Sequence, residues 1–145
     1  MSAGYVLDDT VIHAYAHGDP NVSNLIAVLD ARDIRIAVPF LALASSLAGL
    51  SEDQRAQVNG AVDNLATIQI ATLTTTDDAN ELADVQASAS EPIDLSAAHT
   101  VAVARYLDWE IITTDRARWA DTEARMPFAI SIVQFTDEPD SGNDR

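Results

Sequence analysis

At 145 residues, with 48% hydrophobic residues and a mean hydropathy of +0.02, the chain has the size and composition of one globular domain with its own core. It has no Cys, which excludes disulfides and thiolate metal sites, and it lacks a secretory signal and an apolar run long enough to span a membrane, so we expect a cytoplasmic protein. Acidic residues outnumber basic ones 23 to 8, all eight basic residues are Arg, and the net charge is −15. Such a surface repels polyanions, so an RNA partner would need a local Arg cluster, a divalent cation or a basic protein.

A short apolar run that ends in carboxylates begins the pattern. Residues 5–7 are apolar without alternation, which predicts a strand buried on both faces. Asp8, Asp9 and Thr10 follow directly and would therefore lie at the carboxyl end of this strand. In open α/β sheets, ligands bind at that edge.

Helical and extended patterns then alternate along the chain. Asp19 followed by Pro20 is a helix start, and residues 51–54 have capping-box spacing. The predicted helices cover residues 11–17, 20–29, 40–50, 51–65, a helix capped by the Thr/Asp cluster at 74–78 that runs to 89, 94 or 96 to 107, and 116–125. The further strands cover 34–38, 68–73, 109–115 and 128–135. The helix over 40–50 is apolar almost all round, which predicts a core helix. This alternation predicts an α/β fold with a parallel sheet over residues 1–136, followed by a disordered acidic tail over 137–145.

A second carboxylate ends the strand over 109–115. If that strand neighbours the first, Asp8 and Asp115 face one crevice, where two carboxylates are the minimum for one weakly bound hard cation such as Mg²⁺ or Mn²⁺. Arg116 and Arg118 are the basic pair closest to this crevice, so we expect any substrate phosphate there. The alternative for each Asp is a helix cap or a turn residue. Trp119 is either a packing residue or part of a nucleotide-facing patch with the two Arg residues.

These stretches together resemble a PIN domain, and within that family VapC-like toxins. The resemblance lies in Tyr5-Val6-Leu7-Asp8-Asp9-Thr10, in Val38-Pro39 before an apolar helix, and in Ile111-Ile112-Thr113-Thr114-Asp115. It implies a three-layer α/β/α fold around a five-stranded, mostly parallel sheet, and a Mg²⁺- or Mn²⁺-dependent ribonuclease. It further implies an antitoxin-like protein partner and allows a homodimer.

The family's site residues carry over only in part. Asp8 and Asp115 match two acids that would hold the cation, and Thr10 and Thr113 match hydroxyls that would orient water. The family's Glu falls on or beside Ser45, and its remaining Asp falls on His99. We therefore expect a toxin-type ribonuclease with a depleted site.

Alternatives remain open at this stage. In the ribonuclease, His99 would assist proton transfer; otherwise it is a partly buried helix histidine bonded to a backbone carbonyl. The alternative function is a non-catalytic PIN-like module that binds a protein partner, and a third is a hydrolase of small phosphorylated molecules.

Overall fold

The computed structural model describes residues 4–135, so the predicted acidic tail over 137–145 lies outside the described residues. The strands are β1 (Gly4–Leu7), β2 (Arg35–Pro39), β3 (Ile68–Ala71), β4 (Glu110–Thr113) and β5 (Ile132–Gln134). The helices are α1 (Asp9–Ala16), α2 (Pro20–Ala31), α3 (Phe40–Ala48), α4 (Glu52–Asn64), α5 (Thr76–Ser88), α6 (Leu95–Leu107) and α7 (Ala120–Arg125), with a 3₁₀ turn over Arg116–Trp119.

The five strands form one sheet in the order β3-β2-β1-β4-β5, and all four pairings are parallel. The central strand is β1, whose residue Tyr5 aligns with Ile36 on one side and Glu110 on the other. The predicted parallel α/β sheet is confirmed, and β1 and β4 are neighbours.

Alternate residues of each central strand point to opposite faces of the sheet. In β1, Val6 joins the cluster beneath α5 and α6, whereas Leu7 joins the cluster beneath α1 to α4. Ile111 and Ile112 of β4 divide in the same way. Both faces are therefore covered, which explains the unbroken apolar runs in the sequence and gives the three-layer architecture.

The helix starts follow the capping signals of the sequence. Asp19 caps α2 by accepting hydrogen bonds from two backbone amides, with Pro20 at the first helical position. Ser51 and Gln54 form a reciprocal capping box at α4, and Asp94 rather than Ser96 caps α6. Gly18 ends the first helical segment with φ at +77°, a conformation that glycine adopts without strain.

Three predicted elements differ in the structure. The predicted core helix over 40–50 ends at Ala48, and its outer face, including Phe40 and Ser45, is exposed because only one side packs on α1 and α6. The predicted helix over 116–125 is a 3₁₀ turn followed by the short α7. The last strand covers only three residues, Ile132–Gln134, instead of the predicted 128–135.

Candidate functional site at the carboxyl edge of the sheet

A crevice opens at the carboxyl edge of the sheet, beside the ends of β1 and β4. Its volume is about 480 Å³. Its lining combines acidic, basic, hydroxyl and imidazole groups from α1, α3 and the segment after β4, namely Asp9, Thr10, His13, Ala14, Ser45, Ser46, Thr114, Asp115 and Arg118. The first and fourth strands do end at one edge of the sheet. Asp8 does not face the crevice with Asp115 as expected, because Asp8 and Thr113 are fully buried and do not line it.

Asp8 lies beneath this crevice, fully buried at 0% exposure. As the N-cap of α1, its Oδ1 accepts from the Val11 amide over 3.1 Å and from the Thr10 hydroxyl over 2.6 Å. Its Oδ2 accepts from the Trp119 indole Nε1 over 2.8 Å. Burial raises the pKa of Asp8, and the hydrogen bonds from Thr10, Thr113 and Trp119 counteract that shift only in part.

Trp119, whose indole donates to Asp8, lies in the core. The indole is 0% exposed and packs in the cluster beneath α5 and α6, so it forms no nucleotide-facing patch. The interpretation of Trp119 as a packing residue is confirmed. Its N–H lies against a buried carboxylate because a buried indole donor needs an acceptor.

A chain of hydroxyls connects Asp8 to Asp115. Thr10 Oγ1 lies 3.1 Å from Thr113 Oγ1 and accepts from the Thr114 amide over 2.9 Å. Thr113 Oγ1 in turn accepts from the Asp115 amide over 3.1 Å. Asp115 itself is exposed and caps the 3₁₀ turn through Ala117 N, over 3.1 Å. The two threonines thus hold the strand ends together.

Arg118 extends over the crevice and pairs with two carboxylates. It contacts Asp9 in a bidentate manner, from Nε to Oδ1 over 3.1 Å and from Nη2 to Oδ2 over 2.9 Å. It contacts Asp94 from Nη1 and Nη2, each over 3.2 Å. Ser96 Oγ donates to Asp9 Oδ2 over 3.4 Å. One guanidinium therefore joins the first turn of α1 to the cap of α6.

The electrostatics of this cluster follow from partial burial. The side chains of Arg118 and Asp9 are 20% and 21% exposed, and that of Asp94 is 55% exposed. Burial disfavours the charged guanidinium, but the hydrogen bonds to Asp9 and Asp94 outweigh it and raise the pKa of Arg118. Burial acts to raise the pKa of Asp94, yet the hydrogen bonds from Arg118 and the Ala97 amide hold it below its usual range. Arg118 and Asp94 are therefore charged at neutral pH.

The other residues predicted for the site lie elsewhere or face away. Arg116 donates to Glu123 Oε2 over 2.9 Å and to the Ile132 carbonyl over 3.0 Å, which ties it to α7 and β5. His99 is buried, and its Nδ1 accepts from the Leu41 amide over 3.3 Å. It lines a different cavity, between β3 and α5. Neither side chain is among those that line the crevice.

Several residues at the crevice were not predicted from the sequence, or were predicted in a role that differs from the one in the structure. Asp9 was predicted only as a possible cap, and Asp94 as a cap or as a substitute for the missing family acid; in the structure both pair with Arg118. Ser46, whose hydroxyl donates to the Asp9 carbonyl over 3.2 Å, was not considered. Ser45, where the family Glu was expected to fall, does line the crevice. Nothing in the sequence indicates Ser46 or shows which acids Arg118 contacts.

The residues present do not fit a divalent cation held jointly by Asp8 and Asp115, as the resemblance implies. Both oxygens of Asp8 accept hydrogen bonds from protein donors, and Asp9 and Asp94 are paired with Arg118. Within residues 4–135, no three His, Cys, Asp or Glu side chains are arranged to hold a metal ion. Mg²⁺ binds through free carboxylate oxygens with several waters. Of Asp8, Asp9, Asp94 and Asp115, only Asp115 has a carboxylate oxygen with no hydrogen bond to a residue within 4–135.

Two comparisons with known proteins yield no match: neither a protein-family model nor a curated protein is similar enough to this sequence. Solved structures do share its fold. VapBC from Salmonella typhimurium, bound to DNA, has a TM-score of 0.65 at 13% identity, and the match covers 91% of this chain and 98% of that one.

No helix within residues 4–135 is long and apolar enough to cross a membrane.

Two further structures agree with the first. VapBC2 from Rickettsia felis, bound to a promoter fragment, has a TM-score of 0.59 at 16% identity and covers 90% of this chain and 97% of that one. VapC20 of Mycobacterium tuberculosis, described as a toxin that cleaves the sarcin–ricin loop, has a TM-score of 0.57 at 15% identity and covers 83% and 95%. The strand order, the two helical layers and these similarities together show that the chain has the fold of a VapC-like PIN domain.

Proposed function

We propose that this chain is a PIN-fold module of the toxin–antitoxin type that acts by binding a protein partner, and that an internal cation, Arg118, closes its crevice in place of a metal ion. The observation that carries the proposal is the pairing of Arg118 with both Asp9 and Asp94. A guanidinium that contacts one carboxylate through two hydrogen bonds neutralises the acids that a divalent cation would need.

The fold and the surface support a protein partner. Structures with this fold include complexes described as VapBC and as a toxin–antitoxin complex from Klebsiella pneumoniae. The net charge of −15 disfavours a nucleic-acid ligand and favours a basic protein. Large apolar side chains are exposed on α3, α6 and β3, which suits a protein interface: Phe40, Leu95, Tyr106 and Ile70.

The experiment compares the wild type with Asp115→Asn and Arg118→Met in Mn²⁺-dependent RNA cleavage and in thermal melting. We expect the wild type to show neither cation-dependent cleavage nor a rise in Tm with millimolar Mn²⁺. In Arg118→Met, Asp9 and Asp94 lose their cationic partner, so Mn²⁺ should raise the Tm by binding the native state. Mn²⁺-dependent cleavage by the wild type that is lost in Asp115→Asn would overturn the proposal.

A second candidate is a weak, single-ion ribonuclease. The observation that favours it is the exposed carboxylate of Asp115, whose Oδ2 has no hydrogen bond to any residue within 4–135. Asp115 lines the crevice together with Thr10, and its backbone amide donates to the Thr113 hydroxyl. Here Asp115 would hold a cation, and the chain's own hydroxyls would orient water. The same cleavage assay distinguishes the two candidate functions. Analytical ultracentrifugation of the protein alone shows whether it forms a homodimer, which distinguishes self-association from binding of a different protein.

A further inference from the structure

A second cavity lies away from the crevice, between the edge strand β3 and the helix α5. Its volume is about 610 Å³, within the range of ligand sites. One wall is the chain from Gln69 to Leu73, and the opposite wall is α5, which packs on α6 and leaves space beside β3. The crevice residues do not take part in this cavity.

A buried imidazole with an unused hydrogen-bond donor lies at the floor of this cavity. His99 is 2% exposed and lines the cavity. Because its Nδ1 accepts from the Leu41 amide, the neutral ring carries its proton on Nε2. Within residues 4–135, Nε2 has no hydrogen-bond partner. Burial lowers the pKa of His99 although Asp78 acts to raise it, so the ring is neutral at neutral pH and Nε2 is a donor.

The rim of the cavity is strongly acidic. Four carboxylates of α5 line it, Asp77, Asp78, Glu81 and Asp84. None of the four forms an ion pair with a basic side chain of the described residues. Tyr106, at 73% exposure, stands at the mouth. The rim therefore favours positive charge, and the floor offers a donor to an oxygen atom.

A basic peptide meets both demands in one ligand. Its backbone supplies carbonyl oxygens, and its Lys or Arg side chains supply the positive charge. β3 pairs only with β2, so its other edge presents backbone groups alongside the cavity. Peptides bind such edges through main-chain hydrogen bonds, whereas the phosphates of a nucleic acid would be repelled by the four carboxylates.

We propose that this cavity binds a basic peptide segment of a partner protein, with an oxygen of the segment accepting from His99 Nε2 and its basic side chains facing the acids of α5. The inference rests on the proposed function, because it names the chemistry of the partner. It also assigns that partner to a site separate from the crevice. Tyr106 then packs against the stem of a bound Lys or Arg side chain.

The probe is an alternating Lys–Val octapeptide, with its Glu–Val counterpart and spermine as comparisons. Binding is followed by fluorescence anisotropy and by NMR of the protein labelled with ¹⁵N, including the imidazole nitrogens. We expect the Lys–Val peptide to shift His99 Nε2 and the amides of residues 69–73 at saturation. The Glu–Val peptide should shift neither.

A matched pair of triple variants tests the acidic rim. The first removes three charges from α5 (Asp77→Asn, Glu81→Gln, Asp84→Asn), and the second removes three from α4 (Glu52→Gln, Asp53→Asn, Asp63→Asn). We expect the α5 variant to lose at least about tenfold in affinity and the α4 variant less than about twofold, because only the α5 charges line the site.

Each contrary result has a definite meaning. Equal losses in both triple variants would show attraction to the net charge alone, and unmoved His99 resonances at saturation would remove the ring from the site. Equal shifts with spermine would indicate a site for small polycations rather than a peptide. Any of these results overturns the peptide site and leaves the proposed function standing. Mn²⁺-dependent RNA cleavage by the wild type would instead overturn the proposed function, whatever the peptide measurements show.

Discussion

Replacing Arg118 with Met should destabilise the protein by about 2 to 2.5 kcal/mol. In the pair with Asp9, both side chains are about four-fifths buried. An exposed ion pair contributes under about 1 kcal/mol to stability, whereas removing one partner of a fully buried pair costs about 3–5 kcal/mol. The Asp9 pair lies between these two cases. We take about 2 kcal/mol for it. Asp94 is more than half exposed, so solvent screening limits its share to about 0.5 kcal/mol at most. Met keeps much of the side-chain volume, so the loss reports the guanidinium, which pairs with both carboxylates and also lies 5.1 Å from the centre of the Trp119 ring.

Urea denaturation, followed by tryptophan fluorescence, measures this loss. The control is Arg116→Met, which removes the same charge from a pair with Glu123 that is more exposed on both sides. We expect about 0.5 kcal/mol for the control. Equal losses in Arg118→Met and Arg116→Met would refute the reasoning, since the deeper burial of the Asp9 pair would then contribute nothing.

The loss should also depend on pH in a definite direction. The pKa of Asp94 is held below its usual range in the folded protein, so its pairing with Arg118 stabilises the fold at pH values above the unfolded pKa of about 3.9. That stabilisation is lost as the pH falls through the folded pKa. The difference in stability between the wild type and Arg118→Met should therefore shrink below about pH 4. A difference that grows on acidification would contradict the assignment.

Three further outcomes can be measured by denaturation. Asp8→Asn should lower the free energy of unfolding by about 1–3 kcal/mol, because the single amide oxygen cannot accept from both the Trp119 indole and the Val11 amide. Adding Trp119→Phe to Asp8→Asn should recover part of this loss, whereas strictly additive losses would count against the contact. Gly4→Ala should cost about 1–3 kcal/mol, since a Cβ there would lie 2.6 Å from the Trp109 ring; an unchanged midpoint would show that the ring moves freely. Raising KCl from low to molar concentration should raise the Tm by about 4 °C or more, because salt screens the repulsion among the charges of a chain with net charge −15. A falling Tm would mean that screening of the Arg ion pairs is the larger effect.

The fold could be predicted because its signals are local or periodic. Unbroken apolar runs indicated buried parallel strands, and the caps at Asp19 and Ser51 fixed the starts of α2 and α4. The meeting of Asp8 and Asp115 at one edge followed from the geometry of parallel strands, once β1 and β4 were taken as neighbours.

The chemistry of the site could not be predicted in the same way. Asp8 and Trp119 are 111 residues apart, and their hydrogen bond depends on how the 3₁₀ turn folds back beneath β1. A sequence shows that Arg118 is near an acidic cluster but not which carboxylates it contacts. His99 was expected to assist at the crevice because spacing alone aligned it with a family acid. In the structure its ring faces the cavity beside β3, on another side of α6.

The position of β1 in the sheet also has a consequence for how the protein is made. β1 is the central strand, yet its two neighbours are Arg35–Pro39 and, far later, Glu110–Thr113. On a ribosome that adds about 5–20 residues per second, roughly 5 to 20 s separate the synthesis of β1 from that of its second neighbour. Throughout that time one edge of an apolar strand stays unpaired and open to aggregation. A nascent chain of this topology therefore depends on the early helices, α1 to α4, or on a chaperone to shield β1 until β4 emerges.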